Sequence, residues 1–253
     1  MHAPAELAEI AADVLARIKS RAPRVHCITN SVAQAYTANI LLAAGAIPSM
    51  TISREEIAAF VASADTLLVN LGTFDVERRA AIELALGAAG QRVPWVLDPV
   101  FIERSPPRAQ FARDLVARGP TVVRLNQREF AALSGDQDGE AAARFARTHR
   151  AVVALTGKHD VVTDGERSAT VQNGDALMGL VTAMGCAGSA LVAAFLAIEP
   201  DALRATAAAL MMLGIAGELA ARDVKGPGTF ATAIIDEVHA LDAAALLAHA
   251  KAS

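Results

Sequence analysis

Leu7, Ile10, Val14, Leu15 and Ile18 recur at three- and four-residue spacing, with Glu6, Glu9, Asp13, Arg17 and Lys19 between them. That period predicts an amphipathic surface helix over residues 5–19. The pattern then changes to short, nearly continuous apolar runs: VHCIT from Val25, TLLVNLG from Thr66, PWVLDPV from Pro94, TVVRLN from Thr121 and AVVALTG from Ala151. Between them lie Ala-rich, moderately amphipathic stretches at residues 33–44, 54–62, 76–91, 107–118 and 137–149. Strands alternating with helices predict a parallel sheet, and strands without polar alternation predict that helices cover both its faces.

From Asp160 the chain reads DVVTDGERSATVQNG, two short runs around Asp164 and Gly165, which predicts a β-hairpin with a tight turn. Beyond it the pattern is helical to the end, over residues 176–198, 201–222 and 229–249. Residues 176–198 carry no charge and are long enough to span a bilayer. Asp175, Glu199 and Asp201 flank them with no Lys or Arg, and the first half is rich in Gly, Thr and Met, which favours a helix buried on all sides. No linker, repeat or low-complexity tract interrupts residues 1–253, so one domain is expected.

Composition narrows the function. Hydrophobic residues make up 53% of the chain and charged ones 20%, which excludes a disordered chain. With 23 Lys and Arg against 27 Asp and Glu there is no basic field for nucleic acid. Two cysteines, Cys27 and Cys186, are too few for a disulfide framework and lack metal-ligand spacing. The first twenty residues contain no signal-peptide core, so a cytoplasmic protein with no membrane partner is expected.

In an open α/β sheet, ligands sit beyond the carboxyl ends of the strands. Here those ends carry Thr29 and Asn30, Asn70 and Gly72, Asp98, Arg124 and Asn126, and Thr156 and Gly157. Asn30, Thr73 and Asp75 read equally well as turn and cap residues. Gly185 and Cys186 open the uncharged helix, where free amides would bind phosphate and the helix dipole would lower a thiol pKa. An inert core cysteine remains the other reading. GxxxxGKS and GxxxxGKT are absent, and GPGTFA at 226 follows no expected strand, so a nucleotide site must be of another design.

HCITN at 26, TAN at 37, PSM at 48, NLGT at 70, VLDPV at 96, RLNQRE at 124, ALTGKHDVVTDG at 154, GCAGSALVAAFLA at 185, GIAGELAA at 214 and GPGTF at 226 follow in an order and spacing that resemble hydroxyethylthiazole kinases. The similarity runs over roughly residues 24–242. It implies a ribokinase-like fold, a three-layer α/β/α sandwich with a mostly parallel central sheet. It also implies transfer of the ATP γ-phosphoryl to 4-methyl-5-(2-hydroxyethyl)thiazole for thiamine salvage, with Mg2+ as cofactor, in a homotrimer whose pockets lie between subunits. By position, the resemblance makes Cys186 the catalytic residue beside the substrate hydroxyl. Arg124, Thr156 and Asn126 become ATP contacts, Met50 and Ala183 thiazole contacts, Gly185 part of the anion hole, and Asp98 and Glu129 the magnesium carboxylates. For Arg124 a surface ion pair is the other reading, but an arginine closing an apolar strand favours phosphate. Met50 alone would read as core, and His26 reads as structural.

Two segments depart from the family. Its GTGC is Ala183, Met184, Gly185 and Cys186 here, adding a methyl and removing a hydroxyl. Its DPVGAG continues here as Val100, Phe101, Ile102 and Glu103. These changes leave two alternatives: a kinase of another small heterocyclic alcohol, or a catalytically weak thiazole- or nucleotide-binding protein.

Overall fold

The five apolar runs pair as the central strands of a single eight-stranded sheet in the computed structural model, which describes residues 4–136 and 138–252. They are β1 (Arg24–Ile28), β3 (Thr66–Asn70), β4 (Trp95–Asp98), β5 (Val122–Asn126) and β6 (Val152–Thr156). The short β2 (Ile47–Ser49) adds to one edge, and β7 (Asp160–Thr163) and β8 (Ser168–Val171) to the other, in the order β2-β1-β3-β4-β5-β6-β7-β8. Pairing is parallel from β2 to β6 and antiparallel from β6 to β8.

Side-chain alternation feeds two apolar layers. Val25, Cys27, Leu68, Val96 and Val122 face one, with α1 (Pro4–Arg21), α2 (Gln34–Ala44), α8 (Met184–Leu196), α9 (Ala202–Ala220), α10 (Pro227–Ala240) and α11 (Ala243–His249). Leu67, Val69, Leu97, Val123 and Leu125 face the other, with α3 (Ile57–Ser63), α4 (Val76–Ala89), α5 (Pro106–Val116), α6 (Gln127–Ser134) and α7 (Ala141–His149). This is the expected three-layer sandwich. α1 buries its predicted stripe, with Leu7, Val14 and Ile18 at 0% exposure.

The expected hairpin joins β7 and β8, and its turn over residues 164–167 is closed by the Asp164 amide donating to the Arg167 carbonyl at 3.2 Å, with Gly165 and Glu166 at the tip. The Asp164 carboxylate accepts the amides of Glu166 and Arg167 at 2.9 and 2.6 Å, and Gly165 takes a left-handed φ of +95°. Several local expectations change. The uncharged run is not one buried helix. Residues Ala176–Leu180 form a 3-10 turn with no buried residue, Ala183 is left-handed, and only then does α8 begin. The break has a local cause: Asp175 caps the turn through the Leu177 amide, and the positive φ of Ala183 cannot continue a right-handed helix. The final stretch divides into α10 and α11, where Asp242 caps the second helix through the Ala245 amide at 2.8 Å. α6, which the pattern did not suggest, starts directly at the end of β5. Residue 137, the expected start of the next helix, lies outside the described residues, and α7 begins at Ala141. Among the described residues one helix, α9, is long and apolar enough to cross a membrane, and 78% of its apolar window is buried in the protein.

Candidate active site

Because β1, β3, β4, β5 and β6 run parallel, their last residues emerge along one edge of the sheet. Register places Asn70 beside Asp98 and Asn126 beside Thr156. That edge and the start of α8 enclose a cavity of about 1020 Å3. Asp98, Arg124, Asn126, Glu129, Thr156, Ala183, Gly185 and Cys186 all line it. Met50 does not: it follows β2, half-buried against the first apolar layer.

Asp98 ends β4 with 3% exposure. Its Oδ2 accepts hydrogen bonds from Asn70 Nδ2 at 2.7 Å and Ser189 Oγ at 2.8 Å. Burial pushes its carboxyl up, against the pull of Arg124, Ser189 and Asn70. Arg124 Nη1 donates to the Gly185 carbonyl at 2.9 Å and to Ser189 Oγ at 3.4 Å, so it braces the start of α8 and is not spent on a surface ion pair. Its Nε is buried without a hydrogen-bond partner.

The Asn-x-x-Glu spacing is a capping box that lets β5 pass into α6 without a loop. Asn126 Oδ1 accepts the amides of Arg128 and Glu129, at 2.9 and 3.0 Å. Glu129 Oε2 accepts the Asn126 amide at 2.9 Å, and its Oε1 accepts the Phe101 amide at 3.0 Å. Burial raises the Glu129 carboxyl above the usual range, and Asp98 and Glu103 add to the rise. Each oxygen spends one acceptor site on the backbone and keeps another for a ligand.

The pair fits magnesium in chemistry and number. Both carboxylates are buried and line one cavity, and the Asp98 charge raises Glu129, so a cation there would offset the cost of burying them. Among the described residues there is no cluster of three or more His, Cys, Asp or Glu that could hold a metal. Magnesium needs no such cage, since it keeps several waters and takes one or two carboxylates plus phosphates.

Cys186 stands in the first turn of α8, half-buried, with Sγ 3.1 Å from Asn30 Nδ2. Its thiol is pushed up to about 11, foremost by burial and then by the Asp98 charge, against the Asn70 and Asn30 amides and Arg124. The expected lowering by the helix N-terminus is overturned, because desolvation and a nearby carboxylate outweigh the dipole. Thr156 Oγ1 donates weakly to the Leu125 carbonyl at 3.3 Å, and the next amide, Gly157, is held by Asp160 at 2.9 Å.

His26 is structural as expected: fully buried, bonded through Nδ1 to Ser49 Oγ at 2.8 Å and through Nε2 to the Thr51 carbonyl at 3.1 Å. Asp75 caps α4 through the Arg78 amide at 2.7 Å, and Thr73 Oγ1 accepts the Ser31 amide at 3.3 Å. Asn30 does both jobs left open for it, accepting the Ala33 amide at 2.9 Å while reaching Cys186. Sequence reasoning missed Ser189, although its position three residues after Cys186 places it on the same helix face. It also missed why two glycines of α9 matter: a Cβ at Gly214 would stand 2.6 Å from the Asn173 carbonyl oxygen, and one at Gly217 2.6 Å from Met178 Sδ.

The profile of the hydroxyethylthiazole kinase family matches residues 15–244. The chain belongs to the hydroxyethylthiazole kinase family. It is 42% identical over 245 residues to a probable hydroxyethylthiazole kinase of Agrobacterium fabrum, covering 95% of this chain and 94% of that one. It is 43% identical to a hydroxyethylthiazole kinase of Cronobacter sakazakii, over 91% and 92% of the two chains. The solved structure of the hydroxyethylthiazole kinase protein from Pyrococcus horikoshii OT3 superposes with a TM-score of 0.93 at 36% identity, over 97% of this chain and 98% of that one. The fold is ribokinase-like: a ribokinase-like superfamily protein from Enterococcus faecalis shares it at a TM-score of 0.66 and 17% identity, over 90% and 93% of the chains.

Both departures from the family pattern fall on the same kind of backbone. Ala183 has φ +70° and Phe101 φ +60°, left-handed conformations that glycine adopts without cost. Each is tied to the site. Ala183 is the N-cap of α8, and the turn at Phe101 aims its amide at Glu129. Phe101 stands 47% exposed at the cavity.

Proposed function

We propose that this chain transfers the γ-phosphoryl group of ATP to the hydroxyl of 4-methyl-5-(2-hydroxyethyl)thiazole, a salvage step towards thiamine. Family membership makes it a kinase, with a small molecule and ATP as its substrates. The observation that carries the reading further is that Cys186, Asp98, Arg124 and Glu129 line one cavity at the sheet edge.

Phosphoryl transfer asks a protein mainly for alignment and charge neutralisation. Arg124, beside Gly185, would hold the phosphates of ATP at the start of α8, with the amides around Gly185 as the anion hole. Thr156 and Asn126, at the ends of the adjacent strands β6 and β5, line the ATP side. Cys186, a neutral thiol near pH 7, would orient the alcohol and serve poorly as a strong base. Ala183, beside it, would touch the thiazole. Asp98 and Glu129 would hold the magnesium ion, whose charge would screen the phosphates.

Met50 lies outside its own chain's cavity, which supports the homotrimer: a thiazole contact from Met50 requires a neighbouring copy. Val32 before α2, Leu42 in its last turn and Ile47 in β2 are 70%, 57% and 49% exposed, apolar surface available to such a contact. We read the chain as one domain, because both apolar layers share one sheet, and as a cytoplasmic enzyme.

The deciding experiment is incubation with ATP, Mg2+ and the thiazole alcohol, scored for ADP and thiazole monophosphate against Cys186→Ala. Turnover no greater than that control rejects the reading. A second reading, phosphorylation of another small heterocyclic alcohol, is favoured by one observation, the exposed Phe101 ring at the cavity. An acceptor panel separates the two by kcat/KM.

A further inference from the structure

Between Cys186 and Asp98 runs an unbroken line of side-chain hydrogen bonds. Asn30 Nδ2 donates to Cys186 Sγ at 3.1 Å and to Asn70 Oδ1 at 3.2 Å. Asn70 Nδ2 donates in turn to Asp98 Oδ2 at 2.7 Å. The line follows from topology, since Asn30, Asn70 and Asp98 close the neighbouring strands β1, β3 and β4.

Backbone donors set its direction. The Ala33 amide donates to Asn30 Oδ1 at 2.9 Å, and the Gly72 amide donates to Asn70 Oδ1 at 3.0 Å. An amide N–H cannot accept, so neither side chain can flip without facing donor to donor. Asn30 must therefore present its NH2 group to the sulfur, and the sulfur must accept. Any hydrogen bond that the thiol itself donates is then free for the cavity that Cys186 lines.

Gly72 makes the arrangement possible: a Cβ there would stand 2.7 Å from Asn30 Nδ2 and 2.9 Å from Asn30 Cβ. Asn30 is packed against the bare backbone of Gly72.

We propose that Asn30 and Asn70 are positioning residues for the transfer, a one-way amide relay that holds the Cys186 sulfur as an acceptor and ties its place to that of Asp98. The kinetic part of this assignment rests on the kinase reading above. Nothing in the relay needs to touch substrate. Its effect is to keep the thiol and the Asp98 carboxylate at a set separation, where a displacement of about 1 Å can cost about 100-fold in rate.

Asn30→Asp tests it. The change is nearly isosteric, keeps an acceptor for the Ala33 amide and removes both donated bonds. Its expected kcat falls about 10- to 100-fold while KM for ATP stays within about twofold. A second readout needs no substrate: alkylation of Cys186 by iodoacetamide at one fixed pH. Cys27 is fully buried and should not react. Loss of the N–H donor should slow alkylation about fivefold. Gly72→Ala is the second variant, displacing Asn30 without altering it, and its kcat should fall similarly. In Asn30→Gly/Gly72→Ala the added methyl no longer meets a side chain at position 30, so the double variant should be no slower than Asn30→Gly alone.

A kcat within about twofold of the parent in either folded variant overturns the relay, as does simple additivity in the double variant. If the parent phosphorylates a different alcohol, the same variants are measured with that alcohol. If it phosphorylates none, the kinase reading fails while alkylation still decides the hydrogen-bond direction: unchanged alkylation in Asn30→Asp overturns it.

Discussion

At the level of single residues, burial decides the chemistry more than sequence position does. Cys186 occupies a helix start that would activate an exposed thiol, yet its pKa is pushed up to about 11. Activity from pH 6 to 9 should therefore show no inflection near the ordinary thiol pKa of about 8.5. Cys186→Ser should retain more activity than Cys186→Ala, because a hydroxyl still accepts from Asn30, and Cys186→Ala should lose about 10- to 100-fold in kcat. Steady-state assays of the two variants across that range check both statements.

His26 gives a stability signal of defined sign. Burial holds its pKa down at about 4, against an ordinary 6.5, despite the Thr51 carbonyl. Between these values the unfolded chain binds a proton that the folded chain does not, so stability falls as pH drops from 6.5 towards 4. Asp98 and Glu129, raised by burial, act in the opposite direction over the acid range. The test is therefore a difference: from pH 7 to 4.5 the parent should lose about 2–3 kcal/mol more than His26→Gln in urea unfolding.

At the level of elements, the start of α8 holds stored strain. A Cβ at the left-handed φ of Ala183 costs about 1–2 kcal/mol, part of which glycine returns as chain entropy. Ala183→Gly should stabilise by about 0.5 kcal/mol, and Ala183→Val should destabilise by about 1–2 kcal/mol, since β-branched residues tolerate positive φ worst. In α9, Gly214→Ala drives a methyl against the rigid Asn173 backbone and should cost about 1–3 kcal/mol. Thermal melts of the three variants check the order.

The strands were readable because five nearly continuous apolar runs sit between helical stretches, a pattern only a doubly covered sheet satisfies. α6 was not, because Arg124-Leu125-Asn126 reads as strand up to the residue at which Asn126 caps a helix. The uncharged run also misled. Its composition suits a buried helix throughout, but the left-handed Ala183 divides it, and an alanine carries no mark of that conformation in sequence.

On the scale of the whole molecule, parallel topology brings residues from Asn30 to Ser189 to one edge, and the proposed homotrimer would take in the remaining candidate, Met50. A homotrimer predicts a light-scattering mass of three chains. Leu42→Lys with Ile47→Lys should return it to monomers and raise KM for the thiazole, while KM for ATP stays within about twofold. A monomeric parent with full activity would refute the shared pocket.

The sequence by itself determined the sheet and its double cover, and its resemblance to the family supplied nine candidate residues, of which eight line the cavity. Strand periodicity and strand-end polarity are local, and local pattern survives without coordinates. Only the tertiary structure decided that Met50 stands apart, that Cys186 is a neutral thiol, and that Asn30, Asn70 and Ser189 connect it to Asp98 and Arg124. Desolvation and hydrogen-bond direction depend on what other strands bring within about 3 Å, and no linear spacing carries that.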